Sequence, residues 1–112
     1  SRFMLNVIDL ITGKINWNVV DHTQCAFGKW YYDKHTKEFV YKCSALNNPD
    51  GIKIFTEIEE PHKHYHKLGM EVEKHYKNNN KEALYEKVVE LIDFSSNIVN
   101  HIASLANSMR GC

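Results

Sequence analysis

Two histidines, His62 and His66, stand four residues apart in the stretch EEPHKHYHKLG at residues 59–69. On a helix each residue advances by about 100°, so positions four apart share a face. Two imidazoles at that spacing can each aim one nitrogen at a single metal ion. His64 points nearly opposite and is expected to be solvated. The pair could instead be hydrogen-bonded polar residues at the edge of a core, and spacing alone leaves both interpretations open.

A metal site on this helix needs donors from elsewhere, and Cys25, in the stretch DHTQCAFGKWYYD, is the best candidate. A thiolate together with imidazoles suits Zn²⁺, which prefers tetrahedral nitrogen and sulfur ligation. Gly28, close to this cysteine, permits close helix packing or a tight turn. A lone cysteine is more commonly a small buried apolar residue. The residues by themselves therefore leave zinc ligation and core packing both open for Cys25.

Composition restricts the classes of function. A chain of 112 residues is expected to be one domain, residues 1–112. Lys plus Arg number 14 and Asp plus Glu number 14, and this balance argues against nucleic-acid binding through phosphate neutralisation and against a basic membrane-surface domain. No apolar run approaches the ~18 residues that a membrane span requires. Three irregularly spaced cysteines argue against a disulfide framework and favour a reducing cytoplasm, and Cys112 is expected to be exposed and without a structural role.

Apolar periodicity predicts two long antiparallel helices in the second half of the chain. Apolar residues alternate in steps of four and three over residues 81–109, as in a bundle helix. The same rhythm predicts a helix over residues 51–77, with Asp50 as a candidate cap and a kink at Pro61, which lacks an N–H and clashes with the preceding turn. Residues 78–80 are a polar turn that is short enough to join the two helices as a hairpin.

The first half of the chain gives a less complete pattern. An apolar face over residues 3–11 predicts a helix that stops near Gly13. Asp21 can cap a short helix that runs through Cys25 to Tyr32. Residues 36–45 could form a further helix or, at residues 38–41, a strand, and propensity leaves both open. We predict an all-α fold, a small up-and-down four-helix bundle with a short extra helix in the long linker between its first and second long helices.

Two blocks of this sequence together resemble the chemoreceptor zinc-binding domain family. The first block is DHTQCAFGKWYY at residues 21–32, and the second is EPHKHYHKLG at residues 60–69. The family's signature pairs a C-x-[FL]-G-x-W-[YF] block with a later P-H-x-x-x-H-x-x-G block, and both are present here at the expected separation. The resemblance covers nearly the whole chain. It implies a zinc site in a four-helix bundle, with Cys25, His62 and His66 as metal ligands.

The same resemblance implies a fourth ligand that this sequence does not contain. The family's zinc site has three histidines, and the remaining one lies in the first helix, three residues before an aromatic residue. Phe3 corresponds to that aromatic residue, so the histidine would stand just before Ser1, and the chain is expected to be excised from a longer receptor with its first helix truncated. His22 is the nearest imidazole that could substitute. Water or a foreign group could also complete the coordination.

The function that the resemblance implies is a cytoplasmic sensory module and not an enzyme. Such domains are attached to soluble methyl-accepting chemotaxis receptors and to some diguanylate cyclases, and are linked to sensing of zinc and of oxidants such as hypochlorous acid. Cys25, held as a thiolate by zinc, would be the redox switch. The expected partners are zinc, a second copy in a homodimer, and a receptor coiled coil that signals to the chemotaxis histidine kinase and its coupling protein.

Three other interpretations are weaker. A catalytic zinc site would have a general base in an H-E-x-x-H pattern, but Lys63 follows His62. A di-iron site needs two Glu-x-x-His pairs, and Glu59 with His62 makes only one. A metal-free structural or dimerisation bundle would have the two apolar helix patterns and no ion, and metal analysis of the purified protein distinguishes it from a sensor.

Overall fold

The structure is a computed structural model that describes residues 2–112, and over those residues it contains α-helices and no strands. The helices are α1 (Arg2–Ile11), α2 (Ala26–Tyr31), α3 (Lys34–Leu46), α4 (Gly51–Glu57), α5 (Glu59–Lys77) and α6 (Lys81–Ser108). They pack into a bundle, as predicted, and α1, α3, α5 and α6 are the four long ones. Within the described residues, no helix has both the length and the apolar character needed to cross a membrane.

The α5–α6 hairpin forms the centre of the bundle, and α6 confirms the helix predicted over residues 81–109. Asn79 adopts a left-handed conformation with φ 54°, and the Asn80 side chain accepts a hydrogen bond from the Ala83 N–H at 3.3 Å. This turn reverses the chain, so that Leu91, Ile98 and Leu105 of α6 are buried. The three residues follow the 3.5-residue rhythm because that spacing keeps them on one face.

The predicted helix over residues 51–77 is divided at Ile58 into α4 and α5. Pro61 lies in the first turn of α5, where its missing N–H costs no hydrogen bond, and its ring would otherwise meet the carbonyl of Glu57. The chain therefore bends just before the proline, as the kink prediction required. Asp50 occupies the cap position of α4 but makes no side-chain cap hydrogen bond; its N–H donates to the Asn48 side chain at 3.0 Å instead.

The predicted first helix is confirmed, and the choice left open for residues 36–45 is settled as helix. Helix α1 buries Phe3, Val7 and Leu10, and the chain leaves the helix at Gly13 with φ 77°. Helix α3 begins after Asp33, whose carboxylate accepts a hydrogen bond from the His35 N–H at 2.8 Å.

The prediction that Asp21 caps the short linker helix is wrong. Helix α2 begins at Ala26, and its cap is Cys25, whose sulfur accepts a hydrogen bond from the Gly28 N–H at 3.3 Å. The Asp21 carboxylate instead accepts from the Thr23 N–H at 2.8 Å in a turn that precedes the helix. The short side chain of aspartate serves such turns as readily as it serves helix caps.

The expectations that the cysteines form no disulfide and that Cys112 has no structural role are also wrong. Cys43 of α3 and Cys112 are disulfide-bonded, with their Cα atoms 5.7 Å apart and a sequence separation of 69. Cys112 is exposed, as expected, and Cys25 is the free cysteine among the residues described. Odd cysteine number and irregular spacing are poor guides here, because a pairing across 69 residues depends on how α3 and the end of α6 pack.

Two apolar clusters make up the core, and the predicted metal ligands lie where they adjoin. The first cluster consists of Phe3, Val7, Tyr65, Leu68, Val72, Leu91 and Ile98. The second cluster consists of Tyr31, Val40, Phe55, Ile58 and Leu105. The ring of His66 lies against Phe3 of the first cluster at a tilt of 40°, and the ring of His62 contacts Phe27, which packs against the second cluster.

Candidate metal centre

The structure brings together the three ligands predicted from sequence. One ligand atom each from Cys25, His62 and His66 forms a group in which all the atoms lie within 4.8 Å of one another. The Cys25 Sγ and His62 Nε2 atoms are 3.3 Å apart. Tetrahedral Zn²⁺ with bonds of ~2.1 Å to nitrogen and ~2.3 Å to sulfur separates two such ligand atoms by about 3.6 Å. The sulfur and this nitrogen are therefore spaced as two ligands of one zinc ion would be.

His66 is oriented by a backbone group. It is 2% exposed, and its Nδ1 lies 2.8 Å from the Val20 carbonyl oxygen, to which it donates a hydrogen bond. That bond places the ring proton on Nδ1 and leaves Nε2 with a free lone pair for a metal. Phe3 covers the ring, with centroids 3.9 Å apart. The sequence carries no signal for the Val20 contact, because any residue at position 20 would supply the same carbonyl.

His62 is buried and directs one ring nitrogen at the Cys25 sulfur. It is 3% exposed, and its Nδ1 is buried without a hydrogen-bond partner among the described residues. Its Nε2 faces the Cys25 sulfur, and the ring edge packs on Phe27 with centroids 5.0 Å apart. The sulfur of Cys25 and the imidazoles of His62 and His66 are a donor set that fits a zinc ion.

Cys25 is positioned by a turn that only a glycine permits. Its thiol donates to the His22 carbonyl oxygen at 3.7 Å, and its sulfur accepts from the Gly28 N–H. A Cβ added at Gly28 would lie 1.9 Å from that same His22 oxygen. The tight turn anticipated at Gly28 therefore exists, and it sets the place of the cysteine sulfur.

The three candidate ligands border a cavity of about 200 Å³ that is otherwise mainly apolar. Ile98 and Ile102 of α6 form one wall, and Arg2 and Phe3 at the start of α1 form another. Apolar walls exclude water and strengthen the attraction between an ion and its ligands. The start of α1 therefore borders the same cavity as the three candidate ligands.

The other residues considered from sequence lie outside the group of ligand atoms. The His22 ring lies against His62 with centroids 5.8 Å apart, but His22 is not a member of the three-residue group found among the described residues. His64 is exposed and packs on Phe94 of α6 with ring centroids 4.7 Å apart, which confirms that it points away from His62. The Glu59 carboxylate accepts a hydrogen bond from the Tyr32 hydroxyl at 3.3 Å.

Burial keeps both imidazoles neutral. It lowers the pKa of His62 from 6.5 to about 4, and repulsion from His66 and His22 acts in the same direction. Burial also lowers the pKa of His66, against a smaller opposite effect of its hydrogen bond to Val20. Neutral imidazole is the form that binds a metal. At neutral pH these two rings need not lose a proton before they bind an ion.

The lowered pKa of His62 predicts that the zinc-free protein is less stable in acid. Between about pH 4 and pH 6.5 the unfolded chain binds more protons than the folded one, so the free energy of unfolding falls as the pH falls through this range. Between pH 7.5 and pH 5.0 we expect His62 to account for a loss of about 2 kcal/mol. Urea unfolding of zinc-free protein at the two pH values measures it. The free energy of unfolding of a His62→Gln variant should fall less between the two pH values. An equal fall in both proteins would contradict the attribution of the acid sensitivity to His62.

Comparison with known proteins identifies the family. The family model described as "Chemoreceptor zinc-binding domain" matches residues 1–73, which include Cys25, His62 and His66. No curated protein and no solved structure matches the chain. Zinc is the metal that this family binds, and the Cys/His/His cluster supplies suitable ligands for it. Since the match spans more than half of the 112 residues, the chain belongs to the chemoreceptor zinc-binding domain family.

Proposed function

We propose that this domain is a cytoplasmic sensory module in which Cys25, His62 and His66 hold zinc and the Cys25 sulfur responds to oxidants such as hypochlorous acid. The observation that supports it most directly is the meeting of one sulfur and two neutral, buried imidazoles at one point. A histidine just before Ser1 is the proposed fourth ligand. Arg2 and Phe3, which lie near the start of the chain, border the same cavity as the three candidate ligands. His22 is the substitute nearest in space.

The chemistry of the proposed switch belongs to the Cys25 sulfur. Zinc, when bound, would hold this sulfur as a thiolate at neutral pH. A thiolate and hypochlorous acid give a sulfenic acid and chloride: an S–O bond forms, the O–Cl bond breaks, and chlorine takes the two electrons that sulfur loses. The oxidised sulfur is a poorer ligand and a poorer acceptor for the Gly28 N–H. Oxidation therefore weakens both the metal site and the cap of α2.

The contacts of α2 suggest how such a change reaches the rest of the bundle. Tyr31, at the end of α2, donates a hydrogen bond from its hydroxyl to the Phe55 carbonyl of α4, and the two rings stack with centroids 4.3 Å apart. Tyr31 and Leu105 of α6 belong to the same apolar cluster. Movement of α2 is thus passed to α4 and α6 through packed side chains. A local coordination change then has a mechanical consequence.

An apolar surface on α1 and α6 supports the proposal of a homodimer joined to a receptor coiled coil. Leu5 and Ile8 of α1 are exposed, as are Ile92 and Val99 of α6. Exposed apolar side chains on neighbouring turns are typical of helices that pair with other helices. We propose that the receptor coiled coil in turn signals to the chemotaxis histidine kinase and its coupling protein.

Zinc release by hypochlorous acid tests the proposal. We expect purified protein to bind one zinc per chain and to release it to a chromophoric chelator when hypochlorous acid is added in equal amount. Cys25→Asp replaces the thiolate with a carboxylate that can bind zinc but cannot be oxidised, so this variant should keep zinc under the same treatment. A variant with Cys43→Ser and Cys112→Ser should still release it. Zinc release from Cys25→Asp equal to that of the unmodified protein would defeat the switch.

A further inference from the structure

We propose that Cys43 and Cys112 form a reversible, redox-controlled disulfide, which makes them a second oxidation site independent of Cys25. The pair joins α3 to the turn that follows α6, whereas the candidate zinc ligands lie on α5 and at the start of α2. Neither cysteine belongs to the group of candidate metal ligands. This inference goes beyond the proposed zinc-dependent function and does not require it.

The two cysteines differ in their exposure to solvent. Cys43 is 5% exposed and lies on the inner side of α3, whereas Cys112 is exposed. The Cα separation of 5.7 Å lies within the usual range for a disulfide, so the backbone need not move to form the bond. The Asn47 side-chain amide donates a hydrogen bond to the Cys112 sulfur at 3.1 Å, which holds that sulfur beside α3. A small thiol therefore meets Cys112 more readily than Cys43.

This difference in access defines the route of the exchange. A thiolate of a small molecule such as glutathione attacks the Cys112 sulfur, the bond between the two protein sulfurs breaks, and Cys43 leaves as a thiolate that takes up a proton. A second small thiol then attacks its partner in the mixed disulfide and releases Cys112. In total the protein disulfide gains two electrons and two protons, and two small thiols become one small disulfide. The reverse reaction, with a small disulfide as oxidant, forms the bond again.

Contacts that do not depend on the disulfide hold the same region together. The Ser44 hydroxyl donates to the Asn48 carbonyl at 2.7 Å and accepts from the Ile52 N–H at 3.3 Å. A Cβ placed on Gly51 would lie 3.3 Å from the Ser44 side chain and 3.7 Å from the Ser108 hydroxyl, so α3, α4 and α6 meet closely there. The reduced protein therefore keeps its fold. What it loses is the covalent restriction of the long chain segment between the two cysteines.

Formation of the disulfide should also restrict the second apolar cluster. Val40 lies one turn before Cys43 on α3, and Leu105 lies near the end of α6, and both belong to that cluster. Formation of the disulfide fixes the position of α3 relative to the C-terminal end of α6. Tyr31 of α2 is in the same cluster. The disulfide therefore also restricts the packing of α2, the helix that Cys25 caps.

Thermal unfolding under defined redox conditions tests the inference. We expect the zinc-free protein to melt about 10 °C higher in oxidised than in reduced glutathione, because the bond restricts the unfolded chain. Cys112→Ser and Cys43→Ser should each remove this difference. Cys25→Ser should retain it, which separates this result from any failure of the zinc proposal. Cys112 is exposed, so Cys112→Ser is expected to fold even if Cys43→Ser, which changes a buried residue, does not fold.

Mass spectrometry identifies the pairing directly. After alkylation in denaturant with a chelator, the oxidised protein should carry one label and the reduced protein three, and trypsin should yield residues 43–53 linked to residues 111–112. Over glutathione ratios from equal amounts to a hundredfold excess of the reduced form, the linked peptide should fall from most of the protein to a minor fraction. A link that persists throughout would mean a permanent structural bond, and a link to Cys25, or none, would equally overturn the proposal.

Discussion

His62→Ala is expected to lower zinc affinity by more than about 100-fold. This substitution removes a candidate ligand, and changes in the groups that only orient ligands already cost about 10–100-fold. The helix should persist, because alanine favours helix and the lost ring carries a buried nitrogen that has no hydrogen-bond partner among the described residues. Competition with a chromophoric chelator gives the affinity, and circular dichroism reports the helix content.

His64→Ala is the matched control for this prediction. The same residue type is removed from the same turn of α5, but this ring is exposed and packs on Phe94 rather than facing Cys25. We expect its zinc affinity to stay within about threefold of the unmodified protein, since surface changes away from a site have small effects. Excess zinc should raise the melting temperature of the control but not that of His62→Ala. If both variants lost zinc equally, the ligand assignment would be wrong.

Gly28→Ala is expected to reduce the free energy of unfolding by about 3 kcal/mol, at the upper end of the cost of overpacking. The new methyl group would lie 1.9 Å from the His22 carbonyl oxygen, which is backbone and cannot rotate away. The turn must therefore open, and it is the turn that places the Cys25 sulfur. Zinc affinity should fall together with stability. Urea unfolding of the zinc-free protein and chelator competition measure the two effects.

Lys29→Ala separates this steric effect from a general effect on the helix. Lys29 is the next residue of α2 and its side chain is exposed, so alanine there should change the free energy of unfolding by less than about 0.5 kcal/mol. If Gly28→Ala lowered the free energy of unfolding as little as Lys29→Ala does, the turn would accommodate a side chain at position 28. The assigned role of the turn in placing Cys25 would then be incorrect.

The parts of the fold that could be predicted are those that local periodicity determines. The 3.5-residue rhythm predicted α6, and the four-residue spacing of His62 and His66 predicted that both would be buried on one side of α5. Pro61 predicted the bend, because its missing N–H and its ring act within one turn. In each case the decisive interaction joins residues less than about five positions apart.

The parts that could not be predicted depend on distant contacts. The Cys43–Cys112 disulfide joins residues that only the packing of α3 against the end of α6 brings together. The cap of α2 is Cys25 instead of Asp21, and the same sulfur also lies 3.3 Å from His62 Nε2 on another helix. The orientation of His66 depends on a carbonyl 46 residues away. The pairing of Cys25 with the two histidines is also non-local: donor chemistry made Cys25 the best candidate, and the family resemblance implied that it is a ligand.

Residues 15–21, which connect α1 to the turn before α2, have no regular secondary structure. Three hydrogen bonds to side chains of α5 hold this segment: the Val19 N–H donates to the Glu73 carboxylate at 3.0 Å, the Val20 carbonyl accepts from His66, and the Asn18 side chain accepts from Lys77 at 3.3 Å. A backbone anchored in this way can open without unfolding a helix. Its amide protons should therefore exchange with deuterium sooner than those of α5 and α6. An ion bound to His66 would slow that exchange, so hydrogen exchange can report metal occupancy at a distance from the ligands.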